Sequence, residues 1–362
     1  MSSATRTVTV TKGSTGNRSY TANWTANSAT KYVVNHYQMN VSGSGYTLKE
    51  TENKTGTTAS SVTIANLKKT YTGFTFEGGK GTTSATATKP STLDTTTTVL
   101  ADGTRVINLY YSRNKYTLSL SKGTGISAVT GAGTYYYGQS VTIDATVSNG
   151  YTWSKWSDNN TTKKATMTMP ANALTLTANA TPNTYTIVFK GNGSTSGTMS
   201  NLIVPYGTEK NLTANSFVKT GYSFNGWNTK ADGSGTSYAD KQSVKNLSAT
   251  NNATITLYAQ WTNEDVLVYF DERGGYCPEA GKTVKYGQPY GELPVPVLDG
   301  YGFIGWYTSA DGGELVTEST IVTATDTHTL YAHWGPPEIT YIIKYYNFKP
   351  CIFNTTKYLP LC

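Results

Sequence analysis

A short glycine- and aromatic-rich segment recurs along this chain, and its recurrence constrains the fold more than any other feature. Gly221–Trp227 reads Gly-Tyr-Ser-Phe-Asn-Gly-Trp, and Gly300–Trp306 repeats the pattern 79 residues later as Gly-Tyr-Gly-Phe-Ile-Gly-Trp. Gly150–Trp156 is a looser copy that begins 71 residues before the first. A period of this length is typical of one small module copied in tandem. The 362 residues therefore favour four or five small modules over two or three ordinary domains.

The order of residues within this signature predicts a bulged strand. Tyr222 and Phe224 share one face of a strand, and Trp227 falls on the other face. A bulge at Gly226 would return Trp227 to the buried face, because glycine accepts bulge geometry. We therefore expect Phe224 and Trp227 to form a core with Trp261 of the closing strand, although exposed aromatic residues that stack on sugars are an alternative. The equivalent residues of the next copy are Phe303, Trp306 and Trp334.

The rest of the pattern also indicates strands. Apolar residues alternate with polar ones, as at Tyr116, Leu118 and Leu120, and no apolar period of 3.6 residues continues over ten or more positions. Charged residues make up 14% of the chain and tyrosine (28) outnumbers phenylalanine (9), which suits half-exposed sheets. We predict a β-dominated α+β chain of tandem small modules in an elongated array. One short helix is expected between an Asp-Gly hairpin, such as Asp232-Gly233, and the closing strand.

The copies of the signature divide the chain into six predicted segments. Strands are expected at 7–11 and 19–24, where Trp24 has few residues to bury it. Residues 78–98 are predicted to form a loop because Thr, Gly and Pro dominate them. The segments are 1–28, the truncated end of a preceding repeat; 29–115, a related module; 116–182, a divergent module; 183–263 and 264–336, the two clearest copies; and 337–362, an irregular tail.

Two further motifs accompany the signature in the two clearest copies. A Tyr-Gly pair precedes it, at Tyr206-Gly207 and Tyr286-Gly287, and a Leu-Tyr-Ala-x-Trp strand follows it, ending at Trp261 and Trp334. This combination resembles the internalin-type B repeats, also called the Listeria–Bacteroides repeat. The resemblance covers most of the chain, and its motifs are specific to the module.

The other two modules resemble the same group less closely. Residues 116–182 resemble its divergent branch, with Trp153 at the phenylalanine position and no closing tryptophan. Residues 29–115 are similar to the mucin-binding-like modules that accompany such repeats. The resemblance implies β-grasp-like modules, each a small mixed sheet with one short helical turn. It also implies the repetitive region of a secreted or cell-wall-associated bacterial surface protein, and it implies no ligand.

The residues that carry enzyme or metal chemistry are sparse. The three histidines, His36, His328 and His333, have no cysteine or second histidine at metal-ligand spacing. His328 and His333 lie five positions apart on a strand, so they face opposite sides and cannot clamp one ion, and Cys277 has no neighbouring base. Gly191–Gly197 has the wrong spacing for a dinucleotide loop and is interpreted as a hairpin turn. We expect no catalytic, cofactor-binding or metal-binding residues and no cofactor. The acidic residues that could loosely bind calcium, for which a solvated surface is the favoured interpretation, are Asp265, Asp271, Glu272 and Glu279.

Cysteine content and hydropathy limit the compartment and topology. Cys277, Cys351 and Cys362 do not make a disulfide framework. No apolar run of 18 residues exists, so we expect no membrane span. The opening residues carry no apolar core of a signal peptide. Together with the threonine-rich composition, the lack of a signal-peptide core in the opening residues favours an internal piece of a longer extracellular protein on the bacterial surface.

Charge is distributed unevenly and leaves three functional hypotheses. Residues 1–182 carry 17 basic and 7 acidic side chains, whereas residues 264–336 carry 3 basic and 11 acidic ones. The first hypothesis is a non-catalytic stalk or adhesion array whose partners are neighbouring repeats of the same chain, and host or wall glycans or surface proteins, with no nucleic acid. The second is an array that binds glycans or anionic polymers through its basic half. The third is an auxiliary region of a larger surface enzyme.

Overall fold

The computed structural model describes residues 9–337, and these residues form strands in small sheets. The strands are β1 (Thr30–Met39), β2 (Tyr46–Gly56), β3 (Ser61–Thr63), β4 (Phe74–Thr82), β5 (Thr96–Thr98) and β6 (Val106–Arg113), with one 3-10 helical turn at Ile64–Leu67; then β7 (Lys115–Lys122), β8 (Ile126–Thr130), β9 (Gly133–Tyr136), β10 (Ser140–Val147), β11 (Tyr151–Trp156), β12 (Ala165–Thr168) and β13 (Leu174–Pro182). The second half contains β14 (Thr184–Lys190), β15 (Leu202–Pro205), β16 (Lys210–Asn211), β17 (Tyr222–Asn228), β18 (Ser237–Tyr238), β19 (Ser243–Val244) and β20 (Ala253–Asn263), followed by β21 (Asp265–Asp271), β22 (Gly281–Lys285), β23 (Gly302–Tyr307), β24 (Leu315–Val316) and β25 (His328–Gly335).

One strand order recurs four times. It is β2-β1-β6-β4 in the first sheet, β9-β7-β13-β11 in the second and β22-β21-β25-β23-β24 in the fourth, and β14, β20, β17 and β18 lie side by side in the third. The closing strand (β6, β13, β20 or β25) is always central. It pairs antiparallel with the signature strand and, in the first, second and fourth sheets, parallel with the opening strand. The first, second and fourth sheets are therefore mixed, as predicted.

The predicted bulge and aromatic core are confirmed. The ladder between β17 and β20 shifts register between Phe224 and Gly226, and Gly226 has a φ of +115°. Trp227 is fully buried, and the Phe224 ring lies 5.0 Å from the Trp227 ring and 5.7 Å from the Trp261 ring, centroid to centroid. The same shift and ring contacts occur at Phe303, Trp306 and Trp334. The signature is therefore a folding element and not a sugar-stacking platform.

The first sheet contains a fourth copy of the signature that the sequence analysis missed. Gly73–Gly79 reads Gly-Phe-Thr-Phe-Glu-Gly-Gly, and β4 shifts register between Phe76 and Gly78 like the other copies. Gly79 lies opposite Leu109 in the ladder, as Trp227 lies opposite Ala259. A Cβ atom on Gly79 would lie 2.5 Å from the Leu109 side chain. The same Cβ atom would lie 2.9 Å from the Ile64 side chain, so only glycine fits where the other copies have tryptophan, and this difference hides the copy.

Three sequence predictions were wrong in part. Within the predicted loop at 78–98, residues 78–82 belong to β4 and residues 96–98 form β5. Within residues 9–337, neither Asp232-Gly233 nor Asp311-Gly312 is followed by a helix. After Asp232-Gly233, amide side chains bind backbone groups of other segments: Asn246 Oδ1 accepts from the Gly207 N–H and Asn251 Oδ1 from the Thr184 N–H. Residues 9–28 contain no strand, and Trp24 is 79% exposed because no partner strand is present to cover it.

The described chain divides into two compact units. One comprises the residues up to Tyr185 together with Ile203–Glu209 and Lys245–Ala253, and the other comprises Thr186–Leu202, Lys210–Val244 and the residues from Thr254 onward. The predicted segment boundaries stay a prediction, and the predicted tail at 337–362 lies outside the described residues except for Pro337. Between residues 9 and 337, no helix has the length and apolar character that a bilayer span requires.

Candidate functional site

The tyrosines of three Tyr-Gly pairs, Tyr137, Tyr206 and Tyr286, each pack onto the first glycine of the preceding signature. We call each of these contacts a tyrosine junction. The three glycines have φ values between +74° and +82°, a region that residues with a Cβ atom adopt at a cost. An added Cβ atom would also overlap the tyrosine ring in each case. The junction pairs are Gly73 with Tyr137, Gly150 with Tyr206, and Gly221 with Tyr286.

Aromatic contacts reinforce every tyrosine junction. In the third junction the Tyr222 and Tyr286 rings meet edge to face, with centroids 5.7 Å apart and planes inclined by 78°. The geometry matches the arrangement that aromatic quadrupoles favour. The other two junctions use Tyr151 with Tyr206, at 5.7 Å and 78°, and Phe74 with Tyr137, at 6.0 Å and 86°.

A single linker residue ties the two sides of each junction together. At the third junction the Glu264 N–H donates to the Gly221 carbonyl at 3.0 Å, and the Glu264 carbonyl accepts from the Tyr286 N–H at 3.0 Å. The Ser223 hydroxyl donates to the Glu264 carboxylate at 2.9 Å. Asn183 makes the same three bonds at the second junction and Asn114 at the first, with Thr152 and Thr75 as the hydroxyl donors. The chain therefore passes from one sheet to the next through a hydrogen-bonded turn.

The tyrosine junction was only half visible in the sequence. The Tyr-Gly pairs at 206 and 286 and the signature glycines were recognised as motifs, but nothing in their spacing shows that one packs on the other. The sequence signal that could have predicted the contact is the order of the motifs. The Tyr-Gly pairs at 137, 206 and 286 each follow a signature that opens with glycine and an aromatic residue.

His36 lies in a buried polar cluster that sequence reasoning considered only for metal binding. Its side chain is fully buried, and its Nδ1 atom lies 2.9 Å from the Tyr111 hydroxyl oxygen. Its Nε2 atom is buried without a partner among residues 9–337. Burial lowers the pKa of His36 below 6.5, so the ring is neutral in the folded protein at pH 7. The sequence could have predicted this burial, because strand alternation places His36 on the same inward face of β1 as Tyr32 and Val34.

Two carboxylates and two lysines cover this cluster from the surface. Glu50 accepts hydrogen bonds from the Tyr71 hydroxyl and from Lys69, and Lys69 also pairs with Glu52. The bonds from Lys54 and Lys69 lower the pKa of Glu52 to about 2, and the bonds from Tyr71 and Lys69 lower the pKa of Glu50. The cluster contains no nucleophile beside His36, so it is interpreted as a structural feature of the first sheet.

This cluster predicts how the first sheet responds to acid. The folded-state pKa of His36 is below its ordinary value of 6.5, so its contribution to stability is complete above pH 6.5 and is lost progressively as the pH falls below 6.5 and through the lower folded-state pKa. The contributions of Glu50 and Glu52 are lost only below their ordinary value of 4.5. Hydrogen-exchange protection of β1, corrected for intrinsic rates, should therefore begin to fall as the pH is lowered from 6.5 toward 4.5, before Glu50 and Glu52 contribute. The His36→Gln variant should show no fall in that window; an equal fall would contradict the assignment.

The other residues considered for chemistry are not brought together. The His328 Nε2 atom lies 2.6 Å from the Tyr290 hydroxyl, and the His333 ring stacks on the Tyr307 ring at 3.9 Å. Asp265 pairs with Lys285 at 2.6 Å. No group of three His, Cys, Asp or Glu residues within positions 9–337 is arranged to hold a metal ion, the acidic residues near Asp271, Glu272 and Glu279 included. Cys277 is half-buried against the core of the fourth sheet.

The signature tryptophans differ in one hydrogen bond, which predicts unequal tolerance to phenylalanine. The Trp306 Nε1–H donates to the Pro294 carbonyl at 2.7 Å, whereas the Trp227 Nε1 atom is buried without a partner among the described residues. Trp306→Phe should therefore cost about 1 kcal/mol more than Trp227→Phe. Denaturant unfolding of both variants, with local hydrogen exchange to assign each module, measures the difference. An equal or larger cost for Trp227→Phe would contradict this account.

Comparison with protein families agrees with the strand pattern. Residues 185–260 and 267–333 match the Listeria-Bacteroides repeat domain, and residues 116–184 match the divergent InlB B-repeat domain. These three segments are internalin-type B repeats. Such repeat domains are typical of bacterial surface proteins, and the tyrosine junctions at Tyr206 and Tyr286 join neighbouring B repeats. The first sheet precedes the matched segments but has the strand order of a B repeat, while its mucin-binding-like character stays a prediction.

Two individual proteins are also similar to this chain. A protein of Evansella cellulosilytica, named as a Gly-rich membrane protein, is 40% identical over 126 residues, which cover 32% of this chain and 14% of that protein. The match thus spans about a seventh of that relative. The solved structure of the Bacillus anthracis TIE protein aligns with 64% of this chain and 52% of that one, at 8% identity and a TM-score of 0.28.

Proposed function

We propose that this chain is the repetitive stalk or adhesion region of a secreted or cell-wall-associated bacterial surface protein, and that it is not an enzyme. Its modules are β-grasp-like and stand in an elongated array outside the cell. The observation that supports this best is the tyrosine junction, which recurs three times with the same glycine, ring contact and linker bonds. Repeated hydrogen-bonded junctions limit the freedom of each module relative to its neighbour. A series of such modules gives reach and multivalent display.

Solution scattering tests the array. A compact globule of 362 residues has a radius of gyration of about 21 Å by the usual scaling of globular proteins. The array predicts a clearly larger value and a distance distribution with a long tail. A radius close to the compact value would contradict the stalk function. Double replacement of Tyr206 and Tyr286 by alanine should loosen two junctions and broaden the distribution without unfolding the sheets.

A second candidate function is recognition of an anionic glycan or wall polymer. It is favoured by the excess of basic side chains in residues 1–182, which carry 17 basic against 7 acidic groups. Such binding should weaken as salt screens the charges, since the Debye length falls from about 30 Å at 0.01 M to about 10 Å at 0.1 M. Retention of the chain on immobilised heparin or teichoic acid at low salt would support it. No retention under those conditions would contradict the glycan-binding function and leave the stalk as the one proposed function.

A further inference from the structure

The last described signature has the same geometry as the others but carries no tyrosine. Gly300 has a φ of +79°, within the range of the three junction glycines, and Tyr301 follows it as Tyr222 follows Gly221. No described atom lies within 4 Å of a Cβ atom built on Gly300. Tyr301 is 59% exposed, whereas Tyr151 and Tyr222 are half-buried. Among residues 9–337, this is the one signature edge of the four without a ring packed on it.

We propose that the edge formed by Gly300 and Tyr301 is a docking site for the tyrosine of a Tyr-Gly turn on a further B repeat. The argument is continuity with the three tyrosine junctions, where the same backbone conformation and the same neighbouring aromatic residue receive such a ring. The Tyr-Gly turns at Tyr137, Tyr206 and Tyr286 already occupy junctions, and Tyr290 of the Tyr290-Gly291 pair is buried in the core of its own module. Residues 338–362 contain no Tyr-Gly pair. The incoming turn must therefore belong to a different repeat. This inference does not depend on the proposed adhesive function.

The residues around this edge show what the incoming repeat has to supply. By the register of β23 and β25, Pro337 holds the position of the linker residues Asn114, Asn183 and Glu264. Proline has no N–H to donate to the Gly300 carbonyl, and Gly302 has no hydroxyl where Ser223 has one. The carbonyl of Pro337 can still accept a bond from the incoming tyrosine N–H. Docking here consequently relies on ring packing more than the other junctions do, so a tethered partner is favoured over a free one.

An insertion into the full chain tests the docking site. A second copy of residues 264–336 is inserted between Pro336 and Pro337, so that the Glu264 of the copy follows Pro336. The inserted copy carries Tyr301→Phe, so that nitration at position 301 can come only from the original Tyr301. Nitration of Tyr301 by tetranitromethane is measured by mass spectrometry, with Tyr222 in the same molecule as the reference. We expect the nitration rate of Tyr301 to fall from the high rate of the parent chain to the rate of Tyr222.

Two matched controls separate docking from crowding by the added module. With Tyr286→Ala in the inserted copy, or with Gly300→Ala in the recipient, Tyr301 should be nitrated as fast as in the parent chain. Gly300→Ala leaves the inserted module unchanged, so it remains informative if the Tyr286→Ala copy does not fold. Near-ultraviolet circular dichroism verifies that the added tryptophans are packed. Equal protection of Tyr301 in the insertion and in both controls, or no protection in any of them, would overturn the proposal.

Discussion

Gly221→Ala should destabilise its module by about 2–5 kcal/mol, whereas Gly300→Ala should cost about 1–2 kcal/mol. Both glycines have nearly the same φ, +74° and +79°, so both variants carry the cost of a left-handed alanine, about 1–2 kcal/mol. Only Gly221 faces a ring, because a Cβ atom there would overlap Tyr286. Overpacking of this kind adds about 1–3 kcal/mol. The pair of variants thus separates backbone strain from the tyrosine junction.

Unfolding of a multi-module chain is not one transition, so the measurement must be local. Hydrogen exchange of β17 and β23 reports on the two modules separately, alongside denaturant unfolding followed by tryptophan fluorescence. The double variant Gly221→Ala with Tyr286→Ala should recover part of the loss, since removing the ring removes the overlap. A double-mutant cycle gives the coupling between the two positions. Equal effects of Gly221→Ala and Gly300→Ala would show that the junction ring contributes nothing.

Trp227→Ala should cost about 3–5 kcal/mol, which is the usual effect of truncating a buried tryptophan. Trp227 is fully buried, and its ring lies 4.8 Å from the Phe189 ring and 5.0 Å from the Phe224 ring, centroid to centroid. A small module buries a modest fraction of its surface, so this loss approaches its whole stability. We expect the module to lose its near-ultraviolet dichroism and the exchange protection of β17 and β20.

Trp24→Ala is the matched control for this prediction. Trp24 closes a Tyr-x-Ala-x-Trp sequence like that of a closing strand, yet it is 79% exposed and lies outside any strand. Its removal should change stability by no more than about 0.5 kcal/mol, as for most surface positions. If Trp227→Ala left the protection of β20 unchanged, the signature would not be the folding element described above.

The comparison of Trp227 with Trp24 shows which structural features the local sequence predicts and which it does not. The phase of Tyr222, Phe224 and Trp227 and the glycine at 226 were enough to predict the bulge, because strand alternation is a local property. The Tyr20-x-Ala22-x-Trp24 sequence has the same local pattern as a closing strand but forms no strand, because a strand needs partners on both sides to bury its aromatic residues. The residue pattern predicts that a segment can form a strand, and the presence of neighbouring strands decides whether the strand forms.

The first sheet shows the opposite error. Its signature copy was not recognised because Gly79 stands where the other copies have tryptophan. Leu109, from a strand about thirty residues away, lies where a side chain at position 79 would begin. Packing density must be kept, but the residue that supplies it can come from any strand. A search for identical residues at identical positions cannot detect that exchange.

The sequence alone determined that this protein consists of repeated β modules, and it identified the tryptophans that fill their cores, because repetition and alternation are written in the order of residues. The tertiary structure decided what the Tyr-Gly motifs do and why Gly300 differs from Gly73, Gly150 and Gly221. The four glycines share a backbone conformation, so no local rule separates them. They differ in whether a tyrosine more than fifty residues further along the chain packs against them, and only the folded chain brings those two positions together.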